Sequence, residues 1–511
     1  MIGLRAGAAA AIFGAAVGCA GLSRAEAASV DPAALPPVAA VGERYLSYNV
    51  EMAEVIGGTF WKPYDAPGGA ALQARPPIDL ADARLRGLAA ALGPAYVRVS
   101  GTWANSVHFH DSEAPAPATA PAGFHGVLTR RQWRGVADFA RAANARIVTS
   151  FAISPGVRDA AGVWTPDQAQ KLLAYTESIG ADIAAAEFFN EPTMPEHGGA
   201  PAGYGAAAHA RDFAAFRSFV AAAAPGVRIA GPAAVGEAVL LPAMRTGAGG
   251  IAVLGTESLL SAAPRPVFDV FSYHFYGANS ARCAAAGAQT TAGAALSEEW
   301  LARADRSHAF YAGLRDRFQP GRPVWITETA EAACGGNPWA STFLDSFRFL
   351  DQLGRFAKRG VEAVFHNTLA ASDYGLLDQN TFAPRPNYWA ALLWRRLMGA
   401  TVLDAGPSRP GLRLYAHCLR GRPGGVALLA INTDRARPEI IAFPAPAERY
   451  TLAGRTPGDA RVRLNGEELA LEADGALPAL RGDRVPPGAV ELPPATITFL
   501  AAADAGNAHC R

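Results

Sequence analysis

Between Tyr45 and His366 the sequence alternates eight times between a short apolar, β-branched or aromatic run and a longer segment of helical periodicity. No other feature restricts the possible folds as much. The runs cover residues 45–51, 95–100, 146–151, 186–190, 227–231, 268–274, 324–328 and 361–366. Runs of this length and composition read as buried strands. The segments at 80–92, 131–143, 166–180, 207–224, 298–318 and 341–359 read as helices. Strands alternating with helices imply a parallel sheet, and eight such units imply an α/β fold closed as a (β/α)8 barrel. The barrel is expected over residues 45–398, with a last helix at 387–397.

Beyond Met398 the pattern changes. Short runs at 412–417, 426–432, 439–443, 449–452, 461–464 and 496–500 are separated by Gly/Pro-rich turns. This predicts an antiparallel β-sandwich over 399–511. The Gly/Ala-rich stretch 278–295 after the sixth strand is expected to be a loop beside the active site.

Half of the 511 residues are hydrophobic, enough for a large core and a second domain. With 46 basic and 45 acidic side chains the net charge is +1, and no basic stretch is long enough to track phosphates, so no nucleic-acid partner is expected. Arg5, the short apolar segment 8–17 and Ala25-Glu26-Ala27 fit a signal peptide over residues 1–28 and export to the periplasm or medium. Cys19 after Ala16-Val17-Gly18 is a weak lipoprotein box, a minor alternative. No other segment reaches 18 uninterrupted apolar residues, so no transmembrane segment is expected. Four cysteines follow the signal, and domain placement favours Cys418–Cys510 and Cys283–Cys334 over the other pairings or free thiols.

Two glutamates stand at strand ends. Glu191 closes Phe188-Phe189-Asn190-Glu191-Pro192 on the fourth strand, and Glu328 closes Trp325-Ile326-Thr327-Glu328 on the seventh. The C-terminal tips of barrel strands are where chemistry is placed. Two carboxyls facing each other there are the minimum equipment for breaking a glycosidic bond. Glu191 is read as acid/base, its proton retained by a neighbouring carboxylate, and Glu328 as nucleophile. Asn190 offers an amide to a sugar hydroxyl beside the reacting carbon. The bland reading of either Glu is a helix cap or an ion-pair partner.

Other candidates surround this pair. His274 and Tyr276 alternate with apolar neighbours and point the same way, Tyr276 toward the nucleophile. Arg98 is as readily an interior ion-pair partner as a ligand. Thr102 and Trp103 end the second strand within reach of substrate, and Asn49 or Glu51, ending the first, is expected to bind a distal hydroxyl. Tyr374 and Gly375, in Ser372-Asp373-Tyr374-Gly375 after the eighth strand, are placed to meet an anionic substituent through backbone NH groups, unless this is simply a turn.

Five stretches (96–109, 189–193, 272–277, 325–336 and 374–399) resemble, in order, glycoside hydrolase family 79, the heparanase-like β-glucuronidases. The resemblance implies a retaining mechanism with Glu191 and Glu328 in the roles above. It implies that the sandwich takes a strand from the segment before the barrel, within residues 29–44. It also implies that Tyr374 helps to hold a uronate carboxylate. The animal enzymes carry Gly-Asn before that Tyr, whereas this chain has Ser372-Asp373, whose charge would repel a uronate unless turned away. A single-chain, monomeric, metal- and cofactor-free enzyme acting on a glucuronide or glycan is expected, endo or exo. The alternatives are a neutral-sugar glycosidase of the same barrel clan and a non-catalytic carbohydrate-binding protein.

Overall fold

Eight parallel strands close into a barrel in the computed structural model, which describes residues 28–240 and 253–511. In chain order they are β1 (Leu46–Glu51), β2 (Ala95–Ser100), β3 (Ala145–Ser150), β4 (Ile183–Glu187), β5 (Arg228–Val235), β6 (Val270–Tyr276), β7 (Val324–Ala330) and β8 (Ala363–His366), which pairs back onto β1. The expected signal sequence and Cys19 lie outside the described residues. Among those described, no helix is long and apolar enough to cross a membrane.

Seven helices with the expected amphipathic spacing cover the barrel: α1 (Ala83–Ala91), α2 (Arg130–Ala142), α3 (Asp167–Ser178), α4 (Ala206–Ala223), α5 (Arg303–Phe318), α6 (Phe343–Lys358) and α7 (Pro386–Leu397). Helix α2 shows the local logic. Thr129 accepts from the Gln132 amide while the Gln132 side chain accepts from the Thr129 amide, a reciprocal cap. Trp133, Val136, Ala137, Phe139 and Ala140 then form its buried face.

The lower barrel interior is a packed core. Trp325 fits there because Ala185, Ala230 and Ala363 are small, and its ring lies 4.8 Å from that of Tyr96 and 5.6 Å from that of Phe365. This apolar plug confines the polar interior to the C-terminal half of the strands.

The C-terminal region is two facing sheets. The larger contains Met398–Leu403, Leu412–Leu419, Val426–Asn432, Thr496–Ala502 and Ala447–Ala453, and the smaller contains Glu439–Phe443 and Gly488–Leu492. Leu414, Leu428 and Leu500 from one and Ile441, Phe443 and Val490 from the other share one core. The segment before the barrel contributes to both: Pro37–Ala40 pairs antiparallel with Met398–Leu403, and Ala28–Ser29 pairs parallel with Glu439–Phe443. Cys418–Cys510 and Cys283–Cys334 are both disulfide-bonded. On the barrel side, Gly354 of α6 lies so close to Tyr415 that a Cβ would sit 2.3 Å from its ring, and the Tyr415 hydroxyl donates to Asp351 at 2.6 Å.

Candidate active site

Side chains from seven of the eight strands or the loops after them converge above the plug. β7 delivers the first carboxyl by breaking its own alternation. Trp325 points inward, so Glu328, three residues on, would face outward in a regular strand. The register against β6 slips there: Tyr273 opposes Ile326, but His274 opposes Glu328. This one-residue bulge returns Glu328 to the barrel mouth.

The expected position of Glu191 at the tip of β4 is corrected. β4 ends at Glu187, which points inward and is fully buried, and Glu191 follows in the connecting loop. Phe188 leaves the strand to stack on Phe216 of α4 at 5.1 Å. Asn190 is fixed by Asn105, which exchanges two hydrogen bonds with its backbone at 2.8 and 2.9 Å. Glu191 itself takes φ 53°, a left-handed conformation costing on the order of 1–3 kcal/mol that is held by these flanking contacts.

The two carboxyls meet. One oxygen of Glu191, one of Glu328 and a ring nitrogen of His274 all lie within 4.8 Å of one another. Arg98, fully buried, organises the floor. It donates to Glu187 at 2.9 and 3.0 Å, to Glu328 at 2.9 Å and to the Asn190 side chain at 2.8 Å. It is thus the interior ion-pair partner, reaching Glu328 from below. Burial pushes the Glu187 carboxyl up, but the adjacent Arg98 charge and its hydrogen bonds outweigh it and hold it below the usual range.

His274 is pulled down to about 4 by burial, so its ring is neutral near pH 7. Its Nε2 lies 3.3 Å from an Arg98 nitrogen, which has only protons to offer. The ring proton therefore sits on Nδ1 and is donated to Glu191 Oε1 at 3.0 Å. Glu191 is raised to about 7, chiefly by burial, with His197 and Arg98 opposing and Glu187 adding a little. Burial, more than the neighbouring carboxylate expected from sequence, keeps this acid protonated. Tyr276 donates to Glu328 Oε1 at 2.6 Å, as expected. Asn367 donates to the hydroxyls of Tyr276 at 3.0 Å and Tyr374 at 3.3 Å.

A pocket of about 420 Å³ opens above these groups, lined by Glu51, Thr102, Trp103, Glu191, Tyr276, Glu328 and Tyr374 among the expected residues. Phe60, Trp61, Leu72, Met194, His197, Leu240 and the Cys283–Cys334 bridge add to its walls. Glu51 is pushed well above the usual carboxylate range by burial and then by the Glu328 charge, with Arg98 opposing. Gly101 makes room for it, since a Cβ there would lie 1.7 Å from Glu51 Oε2.

Five expectations are adjusted. Asn49 is buried below the pocket, donating to the Thr327 carbonyl at 3.3 Å. Asn190 lies on the floor against Arg98, outside the lining, and so does His274. Gly375 is packed against Ala371 rather than the cavity. The amides of Ser372 and Asp373 are occupied by Gln379 and the Gly335 carbonyl, so neither is free for an anion. Asp373 turns away from the pocket into an ion pair with Arg282 and accepts from the Tyr64 amide at 3.2 Å.

Known proteins place this arrangement. The family profile "Glycosyl hydrolase family 79, N-terminal domain" matches residues 77–354. Mouse heparanase (Mus musculus) is 35% identical over 209 residues, 37% of this chain and 39% of that protein. Baicalin-beta-D-glucuronidase of Scutellaria baicalensis is 31% identical over 227 residues, 42% of each. Inactive heparanase-2 of Homo sapiens is 29% identical over 223 residues, 38% of this chain and 37% of that protein. These matches span about two fifths of the curated relatives' length. Among solved structures, a GH51 arabinofuranosidase from Xanthomonas axonopodis pv. citri superposes with TM-score 0.61 at 16% identity, covering 91% of this chain and 97% of that one. A 4-O-alpha-L-rhamnosyl-beta-D-glucuronidase from Fusarium oxysporum does so with TM-score 0.59 at 13% identity, covering 91% and 99%. At such identities these two share the fold. With more than half its length under the family profile, the chain belongs to glycosyl hydrolase family 79.

Proposed function

We propose that the protein is a retaining β-glucuronidase in which Glu191 is the acid/base and Glu328 the nucleophile. The observation that carries this is the approach of the two carboxyls to within 4.8 Å. Retaining enzymes hold them about 5–5.5 Å apart, whereas inverting ones leave about 6.5–9.5 Å for a water. An inactive protein among the relatives makes this geometry, rather than kinship, the argument.

Glu328 attacks the anomeric carbon while Glu191 protonates the departing oxygen. Water, deprotonated by Glu191, then hydrolyses the glycosyl-enzyme. Arg98 stabilises the anionic nucleophile and Tyr276 fixes the oxygen it donates to. Glu51, held neutral, donates to a sugar hydroxyl. The Tyr374 hydroxyl meets the uronate carboxylate, and the pairing of Asp373 with Arg282 removes the repulsion that the sequence suggested. The heparanase and glucuronidase names of the relatives support glucuronic acid as the glycone. The disulfides suit an exported enzyme.

Nitrophenyl β-glucuronide, β-xyloside and β-glucoside, assayed side by side, test the reading. Turnover of the glucuronide well above the other two is expected; no turnover of it overturns the assignment. Glu328→Ala and Glu191→Ala should each lower kcat by roughly 10³-fold or more with the fold intact. Azide should rescue Glu328→Ala with inverted product. Near-normal activity in either variant removes the mechanism.

A further inference from the structure

Arg282, in the loop after β6, does not line the pocket, yet it joins four barrel loops behind one of its walls. Its side chain is only 6% exposed. One guanidinium nitrogen donates to the carbonyls of Cys334 at 3.0 Å and Gly336 at 2.9 Å, in the loop after β7. The other donates to the Lys62 carbonyl, in the loop after β1, and to the Asp373 carboxylate, after β8. The Tyr64 ring covers the guanidinium at 3.8 Å, and the Tyr64 hydroxyl meets Ser280 at 2.8 Å. Gly335 is wedged between these loops: a Cβ there would lie 2.5 Å from Ser372 Oγ, 2.6 Å from Trp61 Cβ and 2.9 Å from Arg282. The adjacent Cys283–Cys334 bridge is part of the pocket wall.

The position of this knot decides what it blocks. Asp373 precedes Tyr374, which is linked through Asn367 and Tyr276 to Glu328, so the knot stands on the nucleophile's flank. Glu191 comes from the loop after β4, on the other side of the mouth, and the leaving group must depart toward it to be protonated. The knotted wall therefore lies at the non-reducing end of the bound sugar. A chain continuing past that sugar would have to pass through loops tied by one buried cation to three carbonyls and a carboxylate.

Resting on the glucuronidase reading above, we propose that Arg282 closes the glycone end of the pocket, so that the enzyme removes a single terminal sugar and does not cleave within a chain. Arg282 is then a specificity-determining residue acting through the loops it holds.

The test compares two nitrophenyl β-glucuronides, one unsubstituted and one carrying a further sugar on its 4-hydroxyl. The wild-type enzyme is expected to hydrolyse the first and to act on the second about 100-fold more slowly or worse, as a closed steric wall requires. Comparable rates on both overturn the proposal and leave the glucuronidase reading standing. Inertness toward the first overturns the glucuronidase reading itself, and the proposal with it. In Arg282→Ala, the rate on the substituted compound relative to the plain one should rise about tenfold; an unchanged ratio in a folded variant counts against Arg282 as the determinant. Because the wild-type comparison stands alone, failure of that variant to fold leaves the proposal testable.

Discussion

The carboxyl proposed as acid/base is governed by where its backbone leaves the strand. Glu191 is buried and receives a hydrogen bond from a neutral imidazole, and it is raised to about 7. As an acid whose proton is needed for leaving-group departure, it should lose activity as pH rises through that value. We expect kcat/KM for an aryl glucuronide to fall above about pH 7 with a slope of one proton. In Glu191→Gln, assayed with an aryl leaving group acidic enough to depart unaided, the alkaline fall should vanish from the glycosylation step. A fall that persists unchanged would assign it to another group. The same residue marks how far the sequence could be read. Both carboxyls, the Tyr276 contact and the pocket positions of Thr102 and Trp103 followed from strand counting and alternation. The bulge before Glu328 did not, since it leaves no Gly or Pro as a signal, and neither did the left-handed turn at Glu191, because the adjacent Pro192 marks an exit from the strand but favours extended backbone in the residue before it. Glu187 and Arg98 had a readable clue: each is a charge among the apolar residues of a run read as a strand, and such charges require one another.

At the scale of elements, the link between helix α6 and the C-terminal sheet depends on the absence of a side chain. Gly354 sits face to face with the Tyr415 ring. Gly→Ala in a helix ordinarily helps by up to about 1 kcal/mol, but here a methyl must displace a ring that also donates to buried Asp351. Gly354→Ala should destabilise by about 1–3 kcal/mol, read as a lower denaturation midpoint with unchanged slope. A stabilised variant would show that the contact yields freely. Periodicity alone located α6, yet a helical glycine reads the same whether it faces solvent or an aromatic ring. Strand Met398–Leu403 escaped prediction because it continues straight from α7 with no breaker between them. The Arg282 knot escaped because three of its four hydrogen-bond partners are backbone carbonyls, and carbonyls carry no sequence.

Across the whole molecule, the sandwich is built from both ends of the chain, with the barrel between. The disulfide Cys418–Cys510 encloses a separation of 92 residues, and loops of that size gain about 4–5 kcal/mol from cross-linking in the chain-entropy account. Cys510→Ser should therefore lower thermal stability markedly while leaving the pocket residues in place. A variant with an unshifted Tm would show that the C-terminus is held by packing alone. The barrel and sandwich were legible as a change of period near Met398, but the single strand within residues 29–44 followed only from the family resemblance, and the pairing of Ala28–Ser29 with the smaller sheet was not anticipated.

A segment made early is paired with one made late. Asn507 donates to the carbonyls of Pro32 and Leu35, 475 and 472 positions earlier. At ribosomal speeds of about 5–20 residues per second, the neighbouring strand Pro37–Ala40 waits tens of seconds for Met398–Leu403 to be made. For all that time it is an unsatisfied ribbon edge, available to any other nascent chain. Its proline start, Pro37, and its length of only four residues are the traits that discourage such pairing, so the brevity of this strand protects the polypeptide during its own synthesis.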